Sequence, residues 1–189
     1  MRKALLFILG FGFCGLVYGQ GELYPSFGAE IAVPVSDSSF TDLSAFGLGP
    51  AAGIEITVND QMSFDLQTGF IFLPIKDSLQ DLVKSHWMLP VQVGFRYYLD
   101  NYTEGLYFKG TAGFHVNSIT TEEIVIEVPG FDPTIIPEET ESDLSVSFAP
   151  VVGYRTKYWD WSLRYNIISQ ENGISYIGFR AAYALDLRK

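Results

Sequence analysis

Cysteine is almost missing from this chain of 189 residues, with a single copy at Cys14. It sits in an N-terminal apolar stretch, and Phe11, Gly12 and Phe13 before it lack the small-residue setting of a lipidated cysteine. Disulfides and thiol chemistry are therefore excluded as supports for the remainder. Histidine is nearly as scarce, with two copies, His86 and His115. There is no CxxC, no Gly-rich phosphate loop and no nucleophile elbow, so no catalytic signature is present and no cofactor is implied. Basic residues are few, 12 Lys and Arg against 22 Asp and Glu, which argues against nucleic acid as a partner. Long hydrophobic runs are missing too. The longest, Ala4 to Val17, is about 14 residues, below the ~20 that a helical membrane span needs.

That run has the layout of an export signal. Arg2 and Lys3 precede it, and Val17, Tyr18 and Gly19 resemble a small-residue cleavage site. The expectation is a cleaved signal peptide over residues 1–20 and one mature domain over residues 21–189. Loss of Arg2 and Lys3 would leave 10 basic against 22 acidic residues, a net charge of −12.

Aromatics are abundant, with 15 Phe, 11 Tyr and 3 Trp, and their placement is regular. In His86–Leu99 (HWMLPVQVGFRYYL) every second residue from Trp87 onward is apolar or aromatic, while Met88, Pro90, Gln92, Gly94, Arg96 and Tyr98 form a mixed set. Period two marks a strand. Its length exceeds the roughly 5 or 6 residues of an ordinary strand and suffices for a bilayer crossing of about 9 to 11 tilted residues. An open sheet edge cannot persist in hydrocarbon, so such a strand requires partners that close a barrel.

The same alternation recurs in Tyr24–Val35, Gly47–Val58, Met62–Leu73, Gly105–Asn117, Leu144–Arg155, Trp159–Ile168 and Ile174–Leu187, eight strands in all. Connections after the first, third and fifth strands are long, and those after the second, fourth and sixth are short. The longest, Ser118–Asp143, carries eight acidic residues and no basic one, and its Glu123–Val128 part still alternates, so the fifth strand is expected to run beyond the membrane. Long loops on one rim and tight turns on the other is the layout of an outer-membrane barrel with both chain ends on the periplasmic side. The expected fold is all-β, an eight-stranded antiparallel up-and-down transmembrane β-barrel.

The inward-facing sets contain charges of both signs in equal number: Glu30, Glu55, Asp65, Asp160 and Asp186 against Arg96, Lys109, Arg155, Arg164 and Arg180. Buried charges persist when paired, and an eight-stranded cylinder is just wide enough for side chains to fill it. These ten residues are expected to line a polar, plugged lumen. Tyr97, Tyr98, Tyr102, Tyr154, Tyr158, Trp159 and Trp161 cluster around the short turns, in the manner of an interfacial aromatic girdle. The acidic connection from Glu122 to Asp143 offers only oxygen ligands, without regular calcium-loop spacing.

The stretch Leu89–Leu99 (LPVQVGFRYYL), with its Leu-Pro entry and aromatic exit, resembles the fourth strand of the small outer-membrane β-barrel proteins of Bacteroidetes-type bacteria. That group includes the PorT-like barrels, and the strand count is similar to OmpA/OmpX-type barrels. The resemblance spans Gln20–Lys189. It implies a non-enzymatic, porin-like integral protein of the Gram-negative outer membrane, a structural or interaction scaffold. Its partners would be lipid and lipopolysaccharide, the barrel-assembly machinery and, through the long loops, other envelope proteins. Two alternatives stay open. A lipid-modifying barrel enzyme would bring His86 or His115 to Ser85, Ser145 or Ser147 and a carboxylate. A soluble periplasmic lipocalin-like binder would point Leu89, Val91, Val93 and Phe95 into a cavity.

Overall fold

The computed structural model describes residues 22–35, 38–79, 82–100, 104–126, 134–169 and 173–185. The chain runs β1 (Leu23–Pro34), α1 (Ser38–Leu43), β2 (Gly47–Thr57), β3 (Met62–Gly69), β4 (Ile71–Phe72), a 3-10 turn (Asp77–Leu79) and β5 (Val83–Tyr98). It continues through β6 (Gly105–Thr121), β7 (Ile124–Ile126), β8 (Thr134–Ile136), β9 (Thr140–Arg155), β10 (Trp159–Ser169) and β11 (Ile174–Ala184). Strands β3 and β4 keep one register against both neighbours and form a single wall strand. Neighbours around the sheet are antiparallel, and β1 pairs with both β11 and β2, so eight wall strands close into a cylinder without a free edge. The expectation of an eight-stranded antiparallel barrel is met.

Side chains alternate across this wall as the pleat requires. Val91, Val93 and Phe95 face outward with Phe64, Phe108, Phe114 and Phe148, whereas Gln92, Arg96, Lys109 and Arg164 are buried. A lipocalin-like binder with Val91, Val93 and Phe95 in a cavity is thereby excluded. Tight turns are built locally. Asn59 Oδ1 accepts from the backbone N–H groups of Gln61 (2.9 Å) and Met62 (2.8 Å), folding the β2–β3 turn. Thr156 Oγ1 accepts from Trp159 N–H at 3.0 Å in the β9–β10 turn. Gly105 enters β6 with φ of 98°, a conformation that only glycine adopts without strain.

Three strands are longer than the rest. β5, β6 and β9 have 16, 17 and 16 residues, against 11 or 12 in β1, β2, β10 and β11. Their short-turn ends are level, with Tyr98 opposite Tyr107 and Gly105 opposite Arg155. The excess therefore lies at the long-loop end. Five or six extra residues at ~3.3 Å each carry the β6–β9 hairpin roughly 15–20 Å above the wall along its own axis, and β7–β8 prolongs it. The sixth wall strand begins at Thr140 rather than Leu144 because residues 140–143 pair with 117–120 of this projection.

The first long connection, between β1 and β2, is more than a loop. It contains α1, and Phe40 on that helix is 3% exposed, its ring directed into the barrel mouth. Tyr98 departs as well: it turns into the lumen, fully buried, instead of joining an outer girdle. Its parity with Arg96 decides the side. Tyr102, Asp186 and the expected signal segment lie outside the described residues.

Candidate functional site

Filling of the lumen is layered along the barrel axis. Nearest the short turns, Glu55 of β2 is the hub. It accepts from Ser63 Oγ at 2.7 Å and Tyr98 OH at 2.9 Å, lies 3.2 Å from the Arg96 guanidinium, and pairs directly with Arg155. Arg96 also reaches Asp160 at 3.0 Å, and Tyr107 OH donates to the same carboxylate at 2.6 Å. Two rings cover the guanidiniums: Tyr107 lies 4.0 Å from Arg96 and Tyr24 lies 4.5 Å from Arg155, within cation–π range.

A second layer holds Lys109, which donates to Asp65 at 2.9 Å and Gln67 at 3.1 Å. Arg164 pairs with Glu30, itself 1% exposed, and Arg180 donates to Gln67 Oε1 at 3.0 Å and Ser26 Oγ at 3.1 Å. Gln92, Gln67, Ser147 and Asn166 form an amide layer above. Nine of the ten charged residues singled out in the sequence thus stand inside the described lumen, four carboxylates with five cations. A cavity of about 10 Å³ lies among Ser26, Asp65, Lys109, Asp160 and Arg180, room for about one water molecule. Around it the charged side chains are buried and bonded to one another, and a packed ionic layer of this kind bars diffusion along the axis.

The histidines occupy the upper half. The His86 ring is bonded to Asn117 Oδ1 at 2.8 Å and His115 to Tyr176 OH at 3.0 Å. Neither partner is a serine or a carboxylate. Among the described residues no cluster of three or more His, Cys, Asp or Glu could hold a metal.

Above the amides the interior turns apolar. Ala32, Ile71, Leu73, Met88, Ile168 and Ile174 surround Phe40 over the Tyr176 ring, forming a cup that closes the outer mouth. The sequence reading missed this cup. Its wall residues fall on the inward parity alongside the charges, but the group that completes it, Phe40, belongs to a loop. Outside the rim, Lys84 Nζ of β5 binds Glu138 at 2.6 Å and Glu122 N–H donates to Leu82 O, tying the projecting hairpin to the start of β5, while Thr121 N–H donates to Glu139 O within the hairpin itself. Ile135 and Ile136 on β8 are exposed above this acidic base.

No family model matches the chain, and no curated protein matches it in sequence. Solved structures do match in fold. Ail, the attachment invasion locus protein of Yersinia pestis, superposes with a TM-score of 0.60 at 12% identity over 87% of this chain and 99% of that one. Neisserial surface protein A gives 0.54 at 15% identity over 87% and 97%. The N-terminal β-barrel domain of Pseudomonas aeruginosa OprF gives 0.52 at 12% identity over 88% and 100%. At these identities the likeness is one of fold: the chain shares the eight-stranded barrel of small outer-membrane proteins.

Proposed function

We propose that this protein is a non-enzymatic, integral outer-membrane β-barrel, exported by the signal segment 1–20, with residues 21–189 forming the barrel. In this reading the lumen charges Glu30, Glu55, Asp65, Arg96, Lys109, Arg155, Asp160, Arg164, Arg180 and Asp186 serve as a structural plug. The observation that carries it is the inversion of the wall: a continuous apolar exterior around an ionic interior. A soluble barrel has no physical reason to turn Val93, Phe95, Phe108 and Phe148 to water while burying five cations. The structure of Ail in a phospholipid bilayer nanodisc shows that a barrel of like fold resides in lipid. Lipid and lipopolysaccharide at the outer leaflet and the barrel-assembly machinery are the partners that such a wall requires.

The extramembrane work falls to the hairpin β6–β9 with β7 and β8, a stalk with an acidic base and an exposed isoleucine pair. Ail has been solved with a heparin analogue. The acidic stalk here favours a basic protein partner over a polyanion. The narrower PorT-like resemblance, carried by Leu89–Leu99, would make that partner a component of a secretion apparatus. Membrane fractionation combined with gel mobility before and after heating tests the central reading. Recovery in the outer-membrane fraction, with a heat-dependent shift, is the expected result; recovery in the soluble periplasmic fraction would overturn it.

A further inference from the structure

The apolar cup at the outer end of the lumen has the build of a ligand site occupied by the chain's own side chain. Phe40 is held from a helix of one and a half turns, tied down by Lys76 Nζ donating to Thr41 O at 2.6 Å, Lys76 N–H donating to Leu43 O, and a single bridge between Ser44 and Ile75. Removing the Phe40 ring would leave a space lined by Ile71, Leu73, Met88, Ile168 and Tyr176.

Two buried polar atoms at this mouth have no partner among the described residues: Ser44 Oγ and His86 Nδ1, both on fully buried side chains. The His86 ring meets the Phe40 ring edge-on at 5.7 Å, and Ser44 follows Phe40 by one helical turn. Asn117 Oδ1 accepts, so His86 Nε2 is the donor of that bond, and in the neutral ring Nδ1 is then an acceptor. Orphaned buried groups are rare in native structures. Here they mark where the polar end of an amphiphile would sit, and the acceptor on His86 asks for a hydroxyl or an amide N–H.

The wall beside the cup lacks two ladder donors. The shared register sets Pro50 of β2 opposite Phe70 and Pro90 of β5 opposite Gly69, and Phe70 N–H still donates to Pro50 O at 2.9 Å. Neither proline can donate a ladder hydrogen bond. On the lipid side Phe70 stacks on Trp87 across this seam, centroids 5.5 Å apart. The register between β9 and β10 is also interrupted near Pro150, but beside the polar Gln92–Asn166 layer instead of the cup.

The geometry points to a site in which one alkyl chain of an outer-leaflet lipid enters between β2, β3/β4 and β5 and replaces Phe40 in the cup. A hydroxyl or amide N–H of that lipid then donates to His86. This rests on the membrane reading above, and the test separates the two. The mature chain, folded in phosphatidylcholine vesicles, is photolabelled with a long-chain alcohol carrying a diazirine at its methyl end, and labelled residues are read by mass spectrometry. Labelling of Phe72, Val91 and Val93 reports the membrane-facing wall, and its failure would overturn the membrane reading. Labelling of Met88, Ile168 or Tyr176 reports the cup.

Phe40→Ala is expected to raise cup labelling at least fivefold, and the methyl ether of the probe, which has no donor, is expected to label the cup severalfold less. Replacing Pro50 and Pro90 by Val in the Phe40→Ala background restores two ladder donors and is expected to lower cup labelling. Wall labelling with an unlabelled cup in Phe40→Ala overturns the site. Cup labelling indifferent to the proline replacements overturns the lateral route. Heat-dependent mobility checks assembly of each variant, and Phe40→Leu carries the same comparison if Phe40→Ala does not assemble.

Discussion

Replacing Glu55 with Gln is the sharpest perturbation of the lumen. Glu55 is 4% exposed and serves four donors: Ser63, Tyr98, Arg96 and Arg155. Gln keeps the shape and an acceptor for Ser63 and Tyr98, and Arg96 keeps Asp160 at 3.0 Å. Arg155 loses its carboxylate, and the described lumen changes from four anions with five cations to three with five. Breaking a buried pair by removing one partner costs roughly 3–5 kcal/mol. With two hydrogen bonds retained, the expected loss is about 3 kcal/mol, at the lower end of that range. Urea-dependent unfolding in lipid vesicles, followed by Trp fluorescence, measures it. The double variant with Arg155→Met removes the stranded cation, and its loss should fall short of the summed single losses by about 1–3 kcal/mol. Glu123→Gln, on the exposed rim, is the control and should lie within about 0.5 kcal/mol of the parent. A Glu55→Gln loss as small as the control's, or strict additivity with Arg155→Met, would refute the ionic hub.

Val93, 54% exposed on the outer wall, gives a second test: Val93→Arg is expected to cost about 2–4 kcal/mol near mid-membrane, read by the same unfolding assay. Gly49 and Gly110 form a contrast. A Cβ at Gly49 would fall on the carbonyl oxygen of Phe70, whereas one at Gly110 would meet nothing within 4 Å. Gly49→Ala should therefore lower the folded yield sharply and Gly110→Ala should leave it unchanged. In planar bilayers the parent and Phe40→Ala should both lack ion conductance, because the layer from Glu55 to Arg180 remains packed in each; steady conductance from the parent would contradict a plugged lumen.

Faces and strand count were legible because strand period is short and barrel strands are long. From Trp87 to Leu99 a single parity assigns every side chain to one side of the wall, and the same rule locates Arg96, Arg164 and Arg180. Partners were not legible. Glu55 meets Arg155 across 100 residues and Glu30 meets Arg164 across 134, distances that no local pattern encodes. Strand ends were less legible still. β9 starts at Thr140 within an acidic stretch that alternates poorly, and its pairing comes from the opposite strand. Phe40 was hidden for a different reason: inside a short loop it has no period to belong to, and only tertiary packing sends it into the mouth.

The same long separations bear on how the barrel is made. Glu30 on β1 reaches Arg164 on β10 over the β1–β11 junction, where the first and last strands meet, and Ser26 reaches Arg180 across that junction too. A growing sheet of hairpins would carry these groups without their mates, so partial insertion leaves naked charges at membrane depth. Lipid therefore admits the finished cylinder and rejects its fragments, which makes ring closure and membrane entry one kinetic event rather than two.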